Sequence, residues 1–393
     1  MSSDRPLKIV FFTETYLPQI NGVVTSTITF AEELEKMGHT VLIMGPRMKG
    51  AEDSCEKVWR FRSMAYPFQN EHRVIWPFSR KLKAFKEMDF DIVHIQTPFF
   101  MGHLGQYLGW KHGIPIVHTY HTYWFEYLHY FPLLPKRFRK RADMLLFTKK
   151  FCERSDHVIV PSTQMRDKLL ADQLTVPLTV IPTGIDINRK VPEDETRAFR
   201  ERFGLISGEP VLIYVGRLGQ EKNVYFLIQA FEYVLKKIPT ARLLIVGDGP
   251  ERKGMTKTIS NPERVVFTGY LSHKEVFTAY SAADVIAFPS KTETQGLSLL
   301  EGLSQGKPAV CINAMGVKDL LGNSEGGYLT PDDVDLFSEK LTLLLQDPEI
   351  YRQKSADARA RAGLFSSTAM AERLVSVYRH VIAKKHRKGA LSK

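Results

Sequence analysis

The stretch DVIAFPSKTETQGLSLLEGLSQGKPAVCINA, residues 284–314, shows the pattern that predicts the fold class of this chain. It begins with a short apolar run, passes through a polar loop into an apolar segment starting near Leu297, and ends with a second apolar run after Gly306 and Pro308. Short apolar runs of this kind indicate buried strands, and a glycine followed by a proline is a helix stop. The stretch therefore predicts a strand, a helix and a second strand parallel to the first.

The same alternation extends in both directions along the chain. Residues 23–37 predict a helix after the first strand, and further apolar runs lie at residues 7–13, 40–45, 90–96, 114–120, 157–162, 210–218, 241–249 and 264–271. Strands that alternate with helices predict the α/β fold class with parallel sheets. We expect two Rossmann-like, doubly wound domains that face each other across a cleft, with the ligand in the cleft.

A break in the alternation predicts the domain boundary. Residues 179–205 are rich in proline, glycine and charge, which indicates a linker near residue 190. We therefore assign residues 1–188 to an N-terminal domain and residues 189–366 to a C-terminal domain.

Composition excludes several classes of protein. The three cysteines are scattered among 393 residues, which argues against a disulfide framework or a zinc site and favours a reducing compartment. No apolar run approaches the roughly 18 residues of a spanning helix, and no signal peptide is apparent. The net charge of +11 suits nucleic acid, an anionic membrane surface or a phosphorylated ligand. No zinc-finger, RNP or basic-zipper signature supports nucleic acid, so we expect none as a partner.

Polar residues that could bind a ligand lie where predicted strands end. Arg217 and Lys222 end one strand and precede a helix, where two cations can neutralise a diphosphate. Glu293 lies in the loop before Leu297 and Glu301 inside the helix that follows, and carboxylates accept hydrogen bonds from sugar diols. Gly22 opens a helix whose N–H groups a phosphate could approach.

Each of these residues also has a purely structural interpretation. Gly22 fits an ordinary turn, and the two cations fit a solvated charged turn. Glu301 lies in the mostly apolar segment LSLLEGLS, where a carboxylate is costly unless something pairs with it. Neighbouring backbone groups could satisfy that carboxylate without any ligand.

Taken together, the motifs resemble a known family. ETQGLSLLE matches the E-x7-E signature of glycosyltransferase family 4, and GRLGQEKN matches its Arg/Lys diphosphate motif. PQINGVV, VIPTGID, VGDGP, FTGYLS and GKPAV follow in the order that the family shows, so the resemblance spans about residues 7–380. It implies a GT-B fold, a final helix at residues 367–385 that packs back on the N-terminal domain, and retaining transfer from a nucleotide sugar without a metal or other cofactor.

The resemblance also implies a role for each matching residue. Arg217 and Lys222 would hold the donor diphosphate, and Gly22 would let the N-terminal loop approach it. Glu293 would contact the donor sugar, and Glu301 would bind the ribose hydroxyls. His121 would hydrogen-bond the donor sugar or orient the acceptor. The implied catalytic residues are His121, Glu293, Arg217 and Lys222, and the implied donor-binding residues are Gly22, Arg217, Lys222, Tyr270, Glu293, Gln295, Gly296, Leu297 and Glu301.

Two other polar pairings are interpreted as structural. His118 ends the same strand as His121 and is expected to pack there. Asp89 and Asp91 form a D-x-D pair, which binds a metal in another glycosyltransferase fold. Because Asp91 opens a buried strand, we take that spacing as coincidental and expect no metal.

Two basic segments suggest contact with an anionic membrane surface. Residues 136–154 hold eight basic against two acidic residues, and residues 71–86 are similarly basic. Apolar residues are interleaved in both, which is typical of segments in a membrane interface, although a solvated helix packed on the sheet has the same pattern. The interleaved residues are Trp76, Phe78, Leu82, Phe85, Phe138, Leu145 and Phe151.

Within the family, TYHTYWFEY and the basic segments look most like the diacylglycerol glucosyltransferases. That likeness implies transfer of glucose from UDP-glucose to diacylglycerol at the cytoplasmic face of the membrane. Phosphatidylinositol or a glycolipid is the alternative acceptor. A nucleotide-sugar epimerase on the same fold and a non-catalytic lipid- or nucleotide-binding protein are the rival functions.

Overall fold

The computed structural model describes residues 5–19, 21–48, 57–66, 69–76, 79–122 and 141–391. The chain forms two compact units, one comprising the residues up to Gly184 together with those from Ser367 onward, and the other comprising Ile185–Ser366. The boundary between the two units thus lies between Gly184 and Ile185. The sequence analysis placed the domain boundary four residues later, between residues 188 and 189.

The first unit contains a parallel sheet and a short hairpin. Its strands are β1 (Lys8–Phe12), β2 (Thr40–Pro46), β3 (Val58–Phe61), β4 (Ser63–Tyr66), β5 (Gln69–Ile75), β6 (Ile92–Ile95), β7 (Ile116–Thr119), β8 (His157–Val160) and β9 (Leu178–Val180). Its described part also contains the helices α1 (Gly22–Lys36), α2 (Phe100–Lys111), α3 (Arg141–Cys152) and α4 (Thr163–Ala171). In the described part of the chain the sheet order is β3-β2-β1-β6-β7-β8-β9, with every pair parallel, while β4 and β5 pair antiparallel.

The second unit repeats this architecture. Its strands are β10 (Val211–Val215), β11 (Arg242–Val246), β12 (Val265–Gly269), β13 (Val285–Phe288), β14 (Ala309–Ile312) and β15 (Gly327–Thr330). Its helices are α5 (Glu193–Arg202), α6 (Val224–Lys237), α7 (Arg252–Thr258), α8 (His273–Ala282), α9 (Leu297–Ser304), α10 (Val317–Leu321), α11 (Val334–Gln346) and α12 (Pro348–Gly363). The sheet is parallel in the order β12-β11-β10-β13-β14-β15.

The α/β fold class with a doubly wound parallel sheet in each of two domains is confirmed. Strands of such sheets are covered on both faces, so their sequences are continuously apolar. In β1, Ile9 and Phe11 enter one core and Val10 and Phe12 the other, because successive side chains point to opposite faces. Residues 181–192 join β9 to α5 without a named helix or strand, which is the part of 179–205 where the sequence predicted a linker, and α5 occupies most of the remainder.

The last helix, α13 (Ser367–Leu391), belongs to the first unit. Leu374 and Tyr378 lie in the same core as Ile9 and Phe11 of β1. The Tyr378 hydroxyl also hydrogen-bonds Nδ1 of the buried His94 at 2.6 Å. The final helix is therefore fixed to the N-terminal sheet by apolar packing and by one buried polar contact. Among the described residues, no helix combines the length and the apolar character needed to cross a bilayer.

Candidate functional site

The second sheet reverses its strand order next to β10. The chain adds β11 and β12 on one side of β10 and then crosses to add β13 on the other side. Ligands of doubly wound folds bind at such a reversal, beyond the carboxyl ends of the two strands. The loop after β10 carries Arg217 and Lys222, and the loop after β13 carries Glu293. The topology thus brings the predicted cations and the first predicted acid to one edge of the sheet.

Lys222 and Glu293 form a direct ion pair at this edge. The Lys222 Nζ lies 2.5 Å from Glu293 Oε1, and the two side chains are only 15% and 19% exposed. An ion pair with so little water around it holds both groups in place. An anion bound at this edge would compete with Glu293 for the Lys222 ammonium group.

Arg217 lies half-buried in the loop after β10. A side chain of that strand holds its backbone in place. The Tyr214 hydroxyl donates to the Arg217 carbonyl at 3.1 Å. Burial, reinforced by the negative charges of Glu293 and Glu221, raises the pKa of Tyr214 well above its usual value. Tyr214 therefore stays protonated and remains a donor at any physiological pH.

The loop that carries Glu293 depends on a glycine far along the chain. The Gly316 N–H donates to the Glu293 carbonyl at 2.9 Å. A Cβ atom at position 316 would lie 2.3 Å from the Thr294 carbonyl oxygen, which is too close for any other residue. The loop then turns through Gly296, whose φ of +92° favours glycine, and enters α9 at Leu297. Gln295 is buried in this turn.

Glu301 is buried in α9 and has a side-chain partner that the sequence did not reveal. Its neighbours Leu300 and Leu303 lie in the core, whereas its Oε1 lies 3.1 Å from Nε2 of His273 at the start of α8. A hydrogen bond of this kind offsets part of the free energy that is lost when a carboxylate is buried on an apolar helix. The available signal was the position of the histidine, directly after the motif FTGYLS.

Tyr270 directly follows β12 and contacts the loop after β11. Its side chain is 68% exposed, and its hydroxyl donates to the Asp248 carbonyl at 3.3 Å. Of the predicted residues in this unit, the structure brings Lys222 and Glu293 into direct contact. Arg217, Tyr270 and Glu301 contact other groups of the same unit.

In the first unit, Gly22 is the exposed first residue of α1. Asn21 caps that helix, and its Oδ1 accepts from the N–H groups of Val23 and Val24 at 3.0 Å each. The expectation of free N–H groups at this helix end therefore needs correction, because the cap already engages two of them. A phosphate that approached Gly22 would have to compete with Asn21.

His121 lies beyond the end of β7 and contacts a second residue that the sequence did not reveal. Its Nε2 lies 2.7 Å from Oε1 of the buried Gln96, at the end of the adjacent strand β6. The other amide atom of Gln96, Nε2, is buried without a partner among the described residues. Burial, assisted by the charge of His118, lowers the pKa of His121 to about 3. His121 is therefore neutral at pH 7, and because so low a pKa makes the ring a weak base, it suits hydrogen bonding better than proton abstraction.

The other polar residues singled out from the sequence have structural contacts. His118 is buried, its Nδ1 donates to the Ile95 carbonyl at 3.1 Å, and burial lowers its pKa to about 4. Asp91 accepts from the Lys8 N–H at 2.8 Å and pairs with Arg5. Within the described ranges, no group of three or more histidine, cysteine or acidic residues could hold a metal ion.

The basic segments are only partly described, since Phe78 and residues 136–140 lie outside the described ranges. Phe85 and Phe151 lie in the core of the first unit with 1% and 2% exposure, so they cannot face a membrane as the pattern suggested. Leu82 also packs against that core. Trp76, by contrast, is 48% exposed.

A different surface of the first unit presents exposed aromatic side chains. Phe100, Tyr107 and Trp110 of α2 are 51%, 52% and 79% exposed, and their spacing places them along one side of the helix. The Lys111 ammonium lies 5.6 Å from the Tyr107 ring centre. This aromatic face of α2, defined by these four residues, combines exposed rings with a cation.

Comparisons with known proteins bear on the family and the fold. The model described as Glycosyltransferase Family 4 matches residues 20–189, and the model described as Glycosyl transferases group 1 matches residues 195–361. An alpha-monoglucosyldiacylglycerol synthase from Streptococcus pneumoniae is 32% identical over 88% of this chain and 80% of its own length. A GDP-mannose-dependent alpha-mannosyltransferase from Mycobacterium tuberculosis is 29% identical over 91% of this chain and 92% of its own. Among solved structures, sucrose-phosphate synthase from Thermosynechococcus elongatus covers 96% of this chain and 100% of its own at 22% identity, with a TM-score of 0.75.

Proposed function

Because the chain belongs to glycosyltransferase family 4 and has the GT-B fold, we propose that it transfers glucose from UDP-glucose to diacylglycerol with retention of configuration. The observation that carries this proposal is the ion pair of Lys222 and Glu293 at the strand-order reversal. A cation and an acid at this position suit a ligand that joins a diphosphate to a sugar.

The proposed reaction proceeds on one face of the sugar. The acceptor hydroxyl oxygen forms the new bond to the anomeric carbon while the bond from that carbon to the diphosphate breaks. The bonding electrons leave with the diphosphate, and a diphosphate oxygen takes the acceptor proton. Lys222 and Arg217 stabilise the charge that develops on the leaving group, assisted by the N–H groups at the start of α9.

The second unit provides the remaining donor contacts in this proposal. Glu293, once released from Lys222, accepts from a sugar hydroxyl, and Glu301 accepts from the ribose. Backbone near Tyr270 meets the base. In the first unit, neutral His121 donates or accepts one hydrogen bond at the sugar or the acceptor, and Gly22 allows the N-terminal loop to approach the phosphates.

We place the reaction at the cytoplasmic face of a membrane, and two observations support the lipid acceptor in this proposal. The relative from S. pneumoniae is named for the synthesis of a glucosyldiacylglycerol. The aromatic face of α2 carries exposed tryptophan, tyrosine and lysine, which are the side chains enriched at bilayer interfaces. An anionic lipid surface matches both its apolar rings and the net charge of the chain. The enzyme would thus collect its acceptor from the bilayer without spanning it.

A matrix of donors and acceptors tests this proposal. UDP-glucose, UDP-galactose and GDP-mannose, each labelled in the sugar, are incubated with vesicles of diacylglycerol, phosphatidylinositol or neither, and products are separated by thin-layer chromatography. Labelled glucosyldiacylglycerol is the expected product. A labelled mannolipid from GDP-mannose would favour the activity for which the mycobacterial relative is named. An altered free nucleotide sugar without any lipid would instead identify an epimerase.

A further inference from the structure

His273, the first residue of α8, contacts α9 and the segment before α5 through its two ring nitrogens. Its Nε2 lies 3.1 Å from Glu301 Oε1, and its Nδ1 lies 3.3 Å from an Arg189 guanidinium nitrogen. Arginine can only donate hydrogen bonds, so Nδ1 must accept, and the ring proton is on Nε2. Nε2 therefore donates to Glu301, and this one tautomer satisfies both neighbours at once.

Arg189 is itself fixed in two places. Its carbonyl accepts from the Gln305 side chain at 3.0 Å, at the end of α9. Its guanidinium lies over the ring of Phe277, 4.4 Å from the ring centre, and Phe277 is buried in α8. The His273 ring also makes an edge contact with Phe277, at 5.2 Å between ring centres. The imidazole is thus held on three sides even though its side chain is 59% exposed.

This arrangement leaves one oxygen of Glu301 uncommitted. Oε1 accepts from His273, whereas Oε2 has no hydrogen-bond partner among the described side chains. A long acidic side chain without such a contact can rotate about three bonds, and fixing it before the ligand arrives reduces the entropy lost on binding. The histidine contact therefore selects one orientation of the carboxylate.

We propose that His273 is a positioning residue that holds Glu301 in the orientation that binds the ribose hydroxyls of the donor. This proposal rests on the proposed function, because Glu301 meets a ribose only if the ligand is a nucleotide sugar. His273 acts through Glu301, so its effect depends on the presence of those hydroxyls. A histidine that only stabilised α8 would have no such dependence.

The test compares two ligands that differ only at the ribose. Calorimetry measures the Kd of UDP and of 2′,3′-dideoxy-UDP, with GDP and dideoxy-GDP in parallel, for the full-length protein. The ratio of the dideoxy Kd to the ordinary Kd reports the hydroxyl contacts. We expect this ratio to be about tenfold or more in the unmodified protein, as one or two hydrogen bonds to a charged group require.

Three variants separate positioning from structure. His273→Ala should bring the ratio close to one and leave the dideoxy Kd unchanged. His273→Gln should restore most of the ratio, because the glutamine amide can again donate to Glu301. Lys274→Ala is the matched control, since Lys274 lies next to His273 but its exposed side chain pairs with Glu195 instead of Glu301. Its ratio should equal that of the unmodified protein.

Glu301→Leu distinguishes the two levels of failure. If Glu301→Leu lowers the ratio and His273→Ala does not, the positioning role is wrong while the proposed donor site stands. An equal loss of both ligands in His273→Ala also overturns the positioning role. If Glu301→Leu leaves the ratio unchanged, or neither nucleotide binds, the ribose assignment and the proposed function both fail.

Discussion

Glu293→Gln should separate binding of the diphosphate from transfer of the sugar. The change removes a charge that lies 2.5 Å from the Lys222 ammonium and keeps the shape of the side chain. Two unit charges at that separation attract by about 2–3 kcal/mol when the effective dielectric constant is about 40–80. Desolvation and side-chain ordering reduce the net value for a partly exposed pair to about 1 kcal/mol. Lys222 has to give up this interaction to hold a diphosphate, so the variant should bind UDP about fivefold more tightly.

Transfer should change in the opposite direction. The carboxylate of Glu293 is proposed to accept from a sugar hydroxyl, and loss of a hydrogen bond to a charged group lowers turnover by about 10- to 100-fold. Calorimetry with UDP and transfer of labelled glucose to lipid measure the two effects on the same preparation. Glu325→Gln is the control, because Glu325 forms an exposed pair with Arg361 in the same unit. If the Gln variant loses UDP affinity in proportion to its lost turnover, Glu293 does not compete for Lys222.

Three further predictions concern the fit of the loop around Gly316, the binding of the protein to vesicles and the dependence of its stability on pH. Gly316→Ala should lower transfer and cost about 1–3 kcal/mol of stability, because the new Cβ collides with the loop carbonyl 2.3 Å away; unchanged kcat and melting temperature would contradict this. Trp110→Glu should weaken binding to anionic vesicles about tenfold in a sedimentation assay, whereas Leu170→Glu, at an exposed position on α4, should not. Burial lowers the pKa values of His118 and His157 to about 4, so the unfolded chain binds more protons below pH 6.5. The free energy of unfolding, measured by denaturant titration, should then decrease as the pH is lowered from 6.5 to 4, by about 1.4 kcal/mol per pH unit for each histidine. A free energy of unfolding that stays constant over this range would contradict the prediction.

The doubly wound fold was predictable because its physics is local. A strand covered on both faces must be apolar throughout, and the stretch around α9 shows this in β13 and β14 on either side. Charge patterns were a poorer guide. The basic segment at 71–86 includes most of the strand β5 and a turn at Arg80–Phe85, and Phe85 is buried beneath that turn.

The individual positions of the candidate site were suggested by motifs, but their partners were not. His273 meets Glu301, Gln96 meets His121, and the Gly316 N–H meets the loop of Glu293, each across many intervening residues. Such contacts are set by the order of strands in a sheet, which no local pattern encodes. The cap at Asn21 is different, because asparagine directly before a helix is a favoured N-cap residue and the local sequence did contain that signal.

A crystal structure with a non-transferable fluorinated UDP-glucose would show which side chains hold the donor diphosphate. We expect diphosphate oxygens within hydrogen-bond distance of the Lys222 ammonium and the Arg217 guanidinium, with Glu293 turned toward the sugar. A diphosphate bound elsewhere, with Lys222 still paired to Glu293, would contradict this expectation.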